Sequence, residues 1–133
     1  NATYTNPRNT KDRSGDVDKR LGDIADIRTN FGFTYRFFEL LSLNIRCNYI
    51  GARPVGEGTT VPLNPFTFDP VFIMNSALTV ENIIPGVSLQ AMLNNMLGLE
   101  YFDPGIRSAD AGFYSGRTPQ RDRNLMVRLM YDL

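Results

Sequence analysis

The feature that most constrains this chain is the alternation across residues 124–133, Asn-Leu-Met-Val-Arg-Leu-Met-Tyr-Asp-Leu. Leu125, Val127, Leu129, Tyr131 and Leu133 are all apolar, whereas the intervening positions include Asn124, Arg128 and Asp132. Side chains of an extended chain point alternately to opposite faces, so this is a strand with one apolar face. A strand running to the last residue would leave a soluble sheet with an open edge, a hazard normally blunted by charge, bulges or cover. In a closed barrel the last strand pairs with the first. About ten residues is also what a tilted strand needs to cross a bilayer. The stretch therefore predicts a membrane-spanning strand of a β-barrel.

The rest of the chain repeats the pattern. Over residues 27–37, Ile27, Thr29, Phe31, Phe33, Tyr35 and Phe37 face one way and Arg28, Asn30, Gly32, Thr34 and Arg36 the other. Over 41–49, Leu41, Leu43, Ile45, Cys47 and Tyr49 oppose Ser42, Asn44, Arg46 and Asn48. Over 71–81, Phe72, Met74, Leu78 and Val80 oppose Asn75, Thr79 and Glu81. Within 87–97, Val87, Leu89, Ala91 and Leu93 alternate with Ser88, Gln90, Met92 and Asn94. Residues 1–5, with Tyr4 between threonines, read as the tail of another strand. The strand charges Arg28, Arg36, Arg46, Glu81, Arg128 and Asp132 all lie on the polar row. A basic residue on a lipid face near the midplane costs roughly 2–4 kcal/mol, so a clean apolar row is what lipid requires. A half-exposed soluble sheet or sandwich shows the same alternation and is the competing reading.

The connections run long, short, long, short, long: 6–26, 38–40, 51–70, 82–86 and 98–123. The first is polar. The second holds Gly51, Pro54, Gly56, Gly58, Pro62, Pro65 and Pro70, which are expected to exclude regular pairing over most of it. The third carries Asp103-Pro104-Gly105 and Thr118-Pro119. Loops beyond about 12–15 residues are uncommon in compact soluble domains. In an up-and-down meander, alternate connections share an end, and outer-membrane barrels have short periplasmic turns and longer extracellular loops. The three long connections are therefore expected together at the extracellular end.

Lysine plus arginine number 14 and aspartate plus glutamate 14, so the zero net charge gives no electrostatic case for a nucleic-acid partner. Histidine is absent, which removes the commonest general base and metal ligand. The single cysteine, Cys47, sits in an apolar row, reads as a small hydrophobe and excludes an intrachain disulfide. Asp12, Asp16, Asp18, Asp23 and Asp26 lack the spacing of a calcium loop and read as a solvated segment. Gly56-Glu57-Gly58 lacks the lysine and strand-to-helix context of a phosphate loop. No enzyme, cofactor or metal site is expected. The start has neither an initiator methionine nor the basic and apolar regions of a signal peptide, so the chain reads as a piece of a longer one.

The candidate site residues are polar. Asn44, Arg46, Asn48, Asn75, Thr79, Gln90, Asn94 and Arg128 form the row opposite the apolar one and would face a wet lumen, a plug or a ligand path. Arg46 and Arg128 are its foremost charges. In the last long connection Arg117, Arg121 and Arg123 could engage an anion, because arginine forks match oxyanions bidentately. The plainer reading is a charged surface with Asp122 as partner.

Residues 89–105, with the apolar-flanked pair Asn94-Asn95 followed by Glu100-Tyr101-Phe102 before the last long connection, resemble the C-terminal barrel region of TonB-dependent outer-membrane receptors. Ile50-Gly51-Ala52-Arg53-Pro54 is similar to that family's Tyr-Xaa-Gly-Xaa-Arg strand exit. The final strand has the apolar spacing of its assembly signal, with Leu133 where an aromatic is usual and Tyr131 two places earlier. The resemblance covers about residues 27–133.

It implies an all-β, antiparallel up-and-down transmembrane segment, about the last six strands of a barrel of some 22. Residues 1–133 would all belong to the barrel domain, with the plug elsewhere in the parent, and the fragment would be ordered only within the whole receptor. The implied location is the bacterial cell outer membrane, and the implied function is uptake of an iron chelate, cobalamin or similar ligand. The implied partners are outer-membrane lipid, the rest of the barrel and plug, the TonB protein through the parent, and a small-molecule ligand such as a metal chelate. Without tryptophan, the interfacial girdle would fall to Tyr35, Phe37 and Phe38 at one end and Tyr49, Phe72 and Tyr101 at the other. The alternatives are a non-transporting outer-membrane barrel or adhesin, and a soluble secreted β-sandwich binding module.

Overall fold

The computed structural model describes residues 1–8, 21–54, 67–105 and 117–132, and among these every regular element is a strand. In chain order they are β1 (Ala2–Tyr4), β2 (Ile27–Phe37), β3 (Leu41–Ile50), β4 (Arg53–Pro54), β5 (Thr67–Phe68), β6 (Val71–Ile84), β7 (Val87–Asn94), β8 (Phe102–Pro104), β9 (Arg117–Pro119) and β10 (Asn124–Tyr131). Six form one sheet in the order β1-β2-β3-β6-β7-β10, and the others make two small ladders, β4-β5 and β8-β9. Each long strand neighbours the next in sequence, which is an up-and-down meander. The sheet does not close on itself.

The chain divides into two compact units. The first gathers Asn1–Thr29, Tyr49–Val71 and Tyr101–Gln120. It thus collects material from all three long connections, as the alternation of connection lengths predicts. Here β1 pairs antiparallel with β2 through Ala2↔Thr29 and Tyr4↔Ile27. Backbone bonds from Thr5 N–H to Asp26 O (2.7 Å) and Gly51 N–H to Ile27 O (2.8 Å) extend the pairing. Two of the long connections are closed by short ladders that the sequence pattern does not mark, Arg53↔Phe68 with Pro54↔Thr67, and Phe102↔Pro119 through Pro104↔Arg117. Prolines fit because these ladders are two or three residues long, and every proline in them stands at a ladder end.

The second unit comprises Asn30–Asn48, Phe72–Glu100 and Arg121–Leu133. Its register shows the facing directly. Leu78 lies opposite Ala91, which lies opposite Val127; Val80, Leu89 and Leu129 form the next rank. Thr79, Gln90 and Arg128 form a rank of the other row. Directly opposed residues share a face, so the apolar and polar rows stay in phase across three strands. β6 runs three residues beyond the expected 81, through an irregularity between Val80 and Ile84, and turns at Pro85-Gly86. Gly86 adopts φ 79°, and a Cβ there would lie 2.6 Å from Asp132 O, so the turn requires glycine. β7 ends at Asn94 rather than 97, because Asn95 turns into a left-handed conformation with φ 50°.

Among the described residues no large side chain is fully buried, and the buried apolar ones are Ala25, Cys47, Phe68 and Val71. The apolar row of β10 is open, with Leu125, Val127 and Leu129 at 66%, 65% and 69% exposure. A β-sandwich would bury such a row against a second sheet. An apolar row left open on β10 and only partly covered on β6 and β7 is instead a surface suited to lipid.

Candidate functional site

The polar row is held by side chains that pair along the wall. Asn44 Nδ2 donates to Thr34 Oγ1 at 2.7 Å, Gln90 Nε2 to Thr79 Oγ1 at 3.0 Å, and Asn94 Nδ2 to Asn124 Oδ1 at 3.0 Å. Asn75 Oδ1 accepts the backbone N–H of Asn95 at 2.9 Å. Arg36 approaches Glu81 at 3.9 Å with both side chains well exposed, a separation and setting worth little. Asn48 is half-buried on β3. Arg46 and Arg128 are exposed. Arg46 owes its position to Gly32, where a Cβ would stand 3.2 Å from the Arg46 Cγ and 2.8 Å from Ile45 O. The row can therefore offer guanidinium groups to an anion while its amides stiffen the wall.

The Asn94-Asn95 pair has two distinct roles. Asn94 belongs to the polar row, whereas Asn95 is buried and closes the turn after β7. Its Nδ2 donates to Leu99 O at 2.8 Å and, more weakly, to Arg121 O at 3.4 Å, while its Oδ1 accepts the Leu99 N–H at 3.1 Å. One amide thus ties the exit of β7 to the segment that enters β10.

The connections hold a further cluster, in the first unit. Arg53, only 4% exposed, donates from Nη1 to Asp103 Oδ1 at 2.7 Å and from Nη2 to Phe102 O at 2.9 Å. Its guanidinium lies 5.3 Å from the centre of the Phe68 ring. Tyr101 stands beside this pair. Burial pushes its phenol up from 10.0, the Asp103 carboxylate adds to the rise, and Arg53 opposes it. In the sequence Arg53 stands out only as part of a strand exit. Its partners lie some fifty residues away, beyond any local pattern.

Of the expected loop arginines, Arg117 belongs to the first unit and stacks 4.5 Å over the Phe102 ring. Arg121 and Arg123 belong to the second, where the Arg123 guanidinium lies against Gly98. Asp122 accepts the backbone N–H of Arg123 at 3.1 Å. Asp12, Asp16, Asp18 and Gly56-Glu57-Gly58 lie outside the described residues. Among the described residues no three His, Cys, Asp or Glu side chains gather as a metal site would need.

With this geometry in hand, the chain can be set beside known proteins. No family model matches the sequence and no curated protein does. Solved structures do. The ferric-catecholate import receptor Fiu from E. coli K12 matches in its closed form with a TM-score of 0.67 over 90% of this chain, at 16% identity. Its open form matches with a TM-score of 0.64 over 81% of this chain, also at 16% identity. This is the fold of a TonB-dependent receptor barrel wall. The chain spans 16% of the length of that receptor in either form.

Proposed function

We propose that this chain is a C-terminal stretch of the barrel of an outer-membrane receptor that takes up a scarce nutrient, an iron chelate before cobalamin. Residues 1–133 supply wall, extracellular connections and the terminal assembly strand. Asn44, Arg46, Asn48, Asn75, Gln90, Asn94 and Arg128 face the plug or the ligand path, and Arg117, Arg121 and Arg123 face outward from the last long connection. The parent works with a plug domain and is energised by the TonB protein, and lipid of the outer membrane covers the apolar row.

The observation that carries this reading is the register. It aligns the apolar residues of β6, β7 and β10 into one row, open on β10, on a sheet that shares its fold with a ferric-catecholate import receptor. Two cellular measurements on the full-length protein test it. Single cysteines at Glu57, Arg117 and Glu39, in a Cys47→Ser background, are expected to label from outside at the first two positions only. Iron-starved cells lacking the gene are expected to lose uptake of a radiolabelled ferric catecholate. Labelling at all three positions on protein released in soluble form refutes the barrel, and unchanged uptake of every iron chelate and of cobalamin refutes the transport function.

A further inference from the structure

We propose that Arg53 is a positioning residue that clasps the short ladders β4-β5 and β8-β9 to each other. It sits in β4, at the base of the connection closed by β4-β5, and grips β8, at the base of the one closed by β8-β9. Its grip is specific. One guanidinium nitrogen meets the Asp103 carboxylate, a second meets the Phe102 carbonyl, and the planar group covers the ring of Phe68, a β5 residue. An ammonium could not make both bonds while stacking on the ring. Phe102 is in turn covered on β9's side by Arg117, so strands from both ladders meet around two aromatic rings.

The remaining guanidinium nitrogen argues that stability is not the whole purpose. Arg53 Nε is buried with no hydrogen-bond partner among the described residues. A buried ion pair carries a large desolvation penalty, and an orphaned donor adds to it, so a well-packed apolar residue would hold two ladders together at least as firmly. What an arginine adds is a directional, releasable contact that fixes which part of β8 meets β4. Resting on the uptake reading above, the consequence is that both connections present one preorganised face to a ligand, and that a ligand touching either reports to the other.

The test uses the full-length protein folded in lipid vesicles, with Cys47→Ser and spin labels on Thr67→Cys and Thr118→Cys. Both sites are exposed, on β5 and β9 respectively. The expected result for the parent is a single narrow distance distribution. Arg53→Gln and Arg53→Lys should each broaden it roughly twofold, because local freedom returns to both ladders. Asp103→Asn, which keeps shape and removes the charge, serves if the Arg53 variants fail to fold; the folded state is checked by heat-modifiable gel mobility. An unchanged width in folded Arg53→Gln or folded Asp103→Asn overturns the clasp. A ferric tris-catecholate complex then probes the consequence, with affinity expected to drop about tenfold in the broadened variants as preorganisation is lost. If the parent itself binds no such chelate, the uptake reading fails while the label widths still decide the clasp.

Discussion

Replacing Ala91 by arginine gives the sharpest check on the facing of the wall. Ala91 lies opposite Leu78 on one side and Val127 on the other, so an arginine there meets no acceptor from either neighbouring strand. At about 3.4 Å per residue it stands roughly 10–14 Å from the two ends of β7, too deep for its head to reach the headgroups easily. The cost should then approach the full 2–4 kcal/mol or so of a cation at the midplane. That is about a 30- to 700-fold loss in the ratio of folded to unfolded barrel. The neighbouring Met92 is opposite Ala77 and Met126, on the other row. Met92→Arg, at a half-buried position on the row that carries Gln90 and Arg128, should cost clearly less, about 1 kcal/mol or below. The assay is denaturant unfolding of the full-length protein in lipid vesicles, with gel mobility reporting the folded barrel. Equal losses, or a larger loss for Met92→Arg, would refute the assignment of the two rows.

Two further predictions concern the ends of the strands. Asn95→Ala removes partners from both the N–H and the C=O of Leu99 and leaves an alanine at φ 50°, so unfolding midpoints should show a loss of about 3–4 kcal/mol. Asn95→Gly keeps the conformation accessible and should recover about 1 kcal/mol of that; identical losses would mean the backbone conformation contributes nothing. Tyr101 has a folded-state pKa above its ordinary 10.0 because burial and Asp103 disfavour the phenolate. Its neutral form therefore contributes stability that is intact below pH 10 and declines as pH rises from 10 through the folded value. The phenolate absorbance of the parent minus Tyr101→Phe should rise later than that of an exposed tyrosine, and a rise at or below pH 10 would count against the burial.

Strands with a long uninterrupted alternation are readable in the sequence, although β10 ends at Tyr131 with Asp132 outside it. β2 occupies Ile27–Phe37 as the pattern of aromatic and polar residues requires, and β3 extends only to Ile50 beyond the alternating run. The readable feature is a period, and where the period breaks the reading drifts. β6 passes through Asn82 at φ 51° and still reaches Ile84, because an irregularity absorbs the residues that spoil the alternation. β7 stops early because a single left-handed asparagine outweighs the apolar residues after it. The ladders β4-β5 and β8-β9 have no period to read, and their prolines argued against them. The polar row was visible, but its internal pairing was not, since Asn44 with Thr34 and Asn94 with Asn124 depend on register. Arg53 was hidden for a deeper reason: burial of a charge is decided by groups that only the folded chain brings near.

The β4-β5 ladder also has a practical implication. Pairing Pro54 with Thr67 holds the two ends of the intervening segment side by side whatever residues lie between them. The entropy of closing a loop grows only with the logarithm of its length, about 0.6 kcal/mol for each doubling. A foreign peptide spliced between residues 54 and 67 would meet anchor points already set a strand's width apart. Its length would then matter far less than whether Arg53 and Phe68 are kept. Such a splice would close a foreign loop on a ladder that has no need to change.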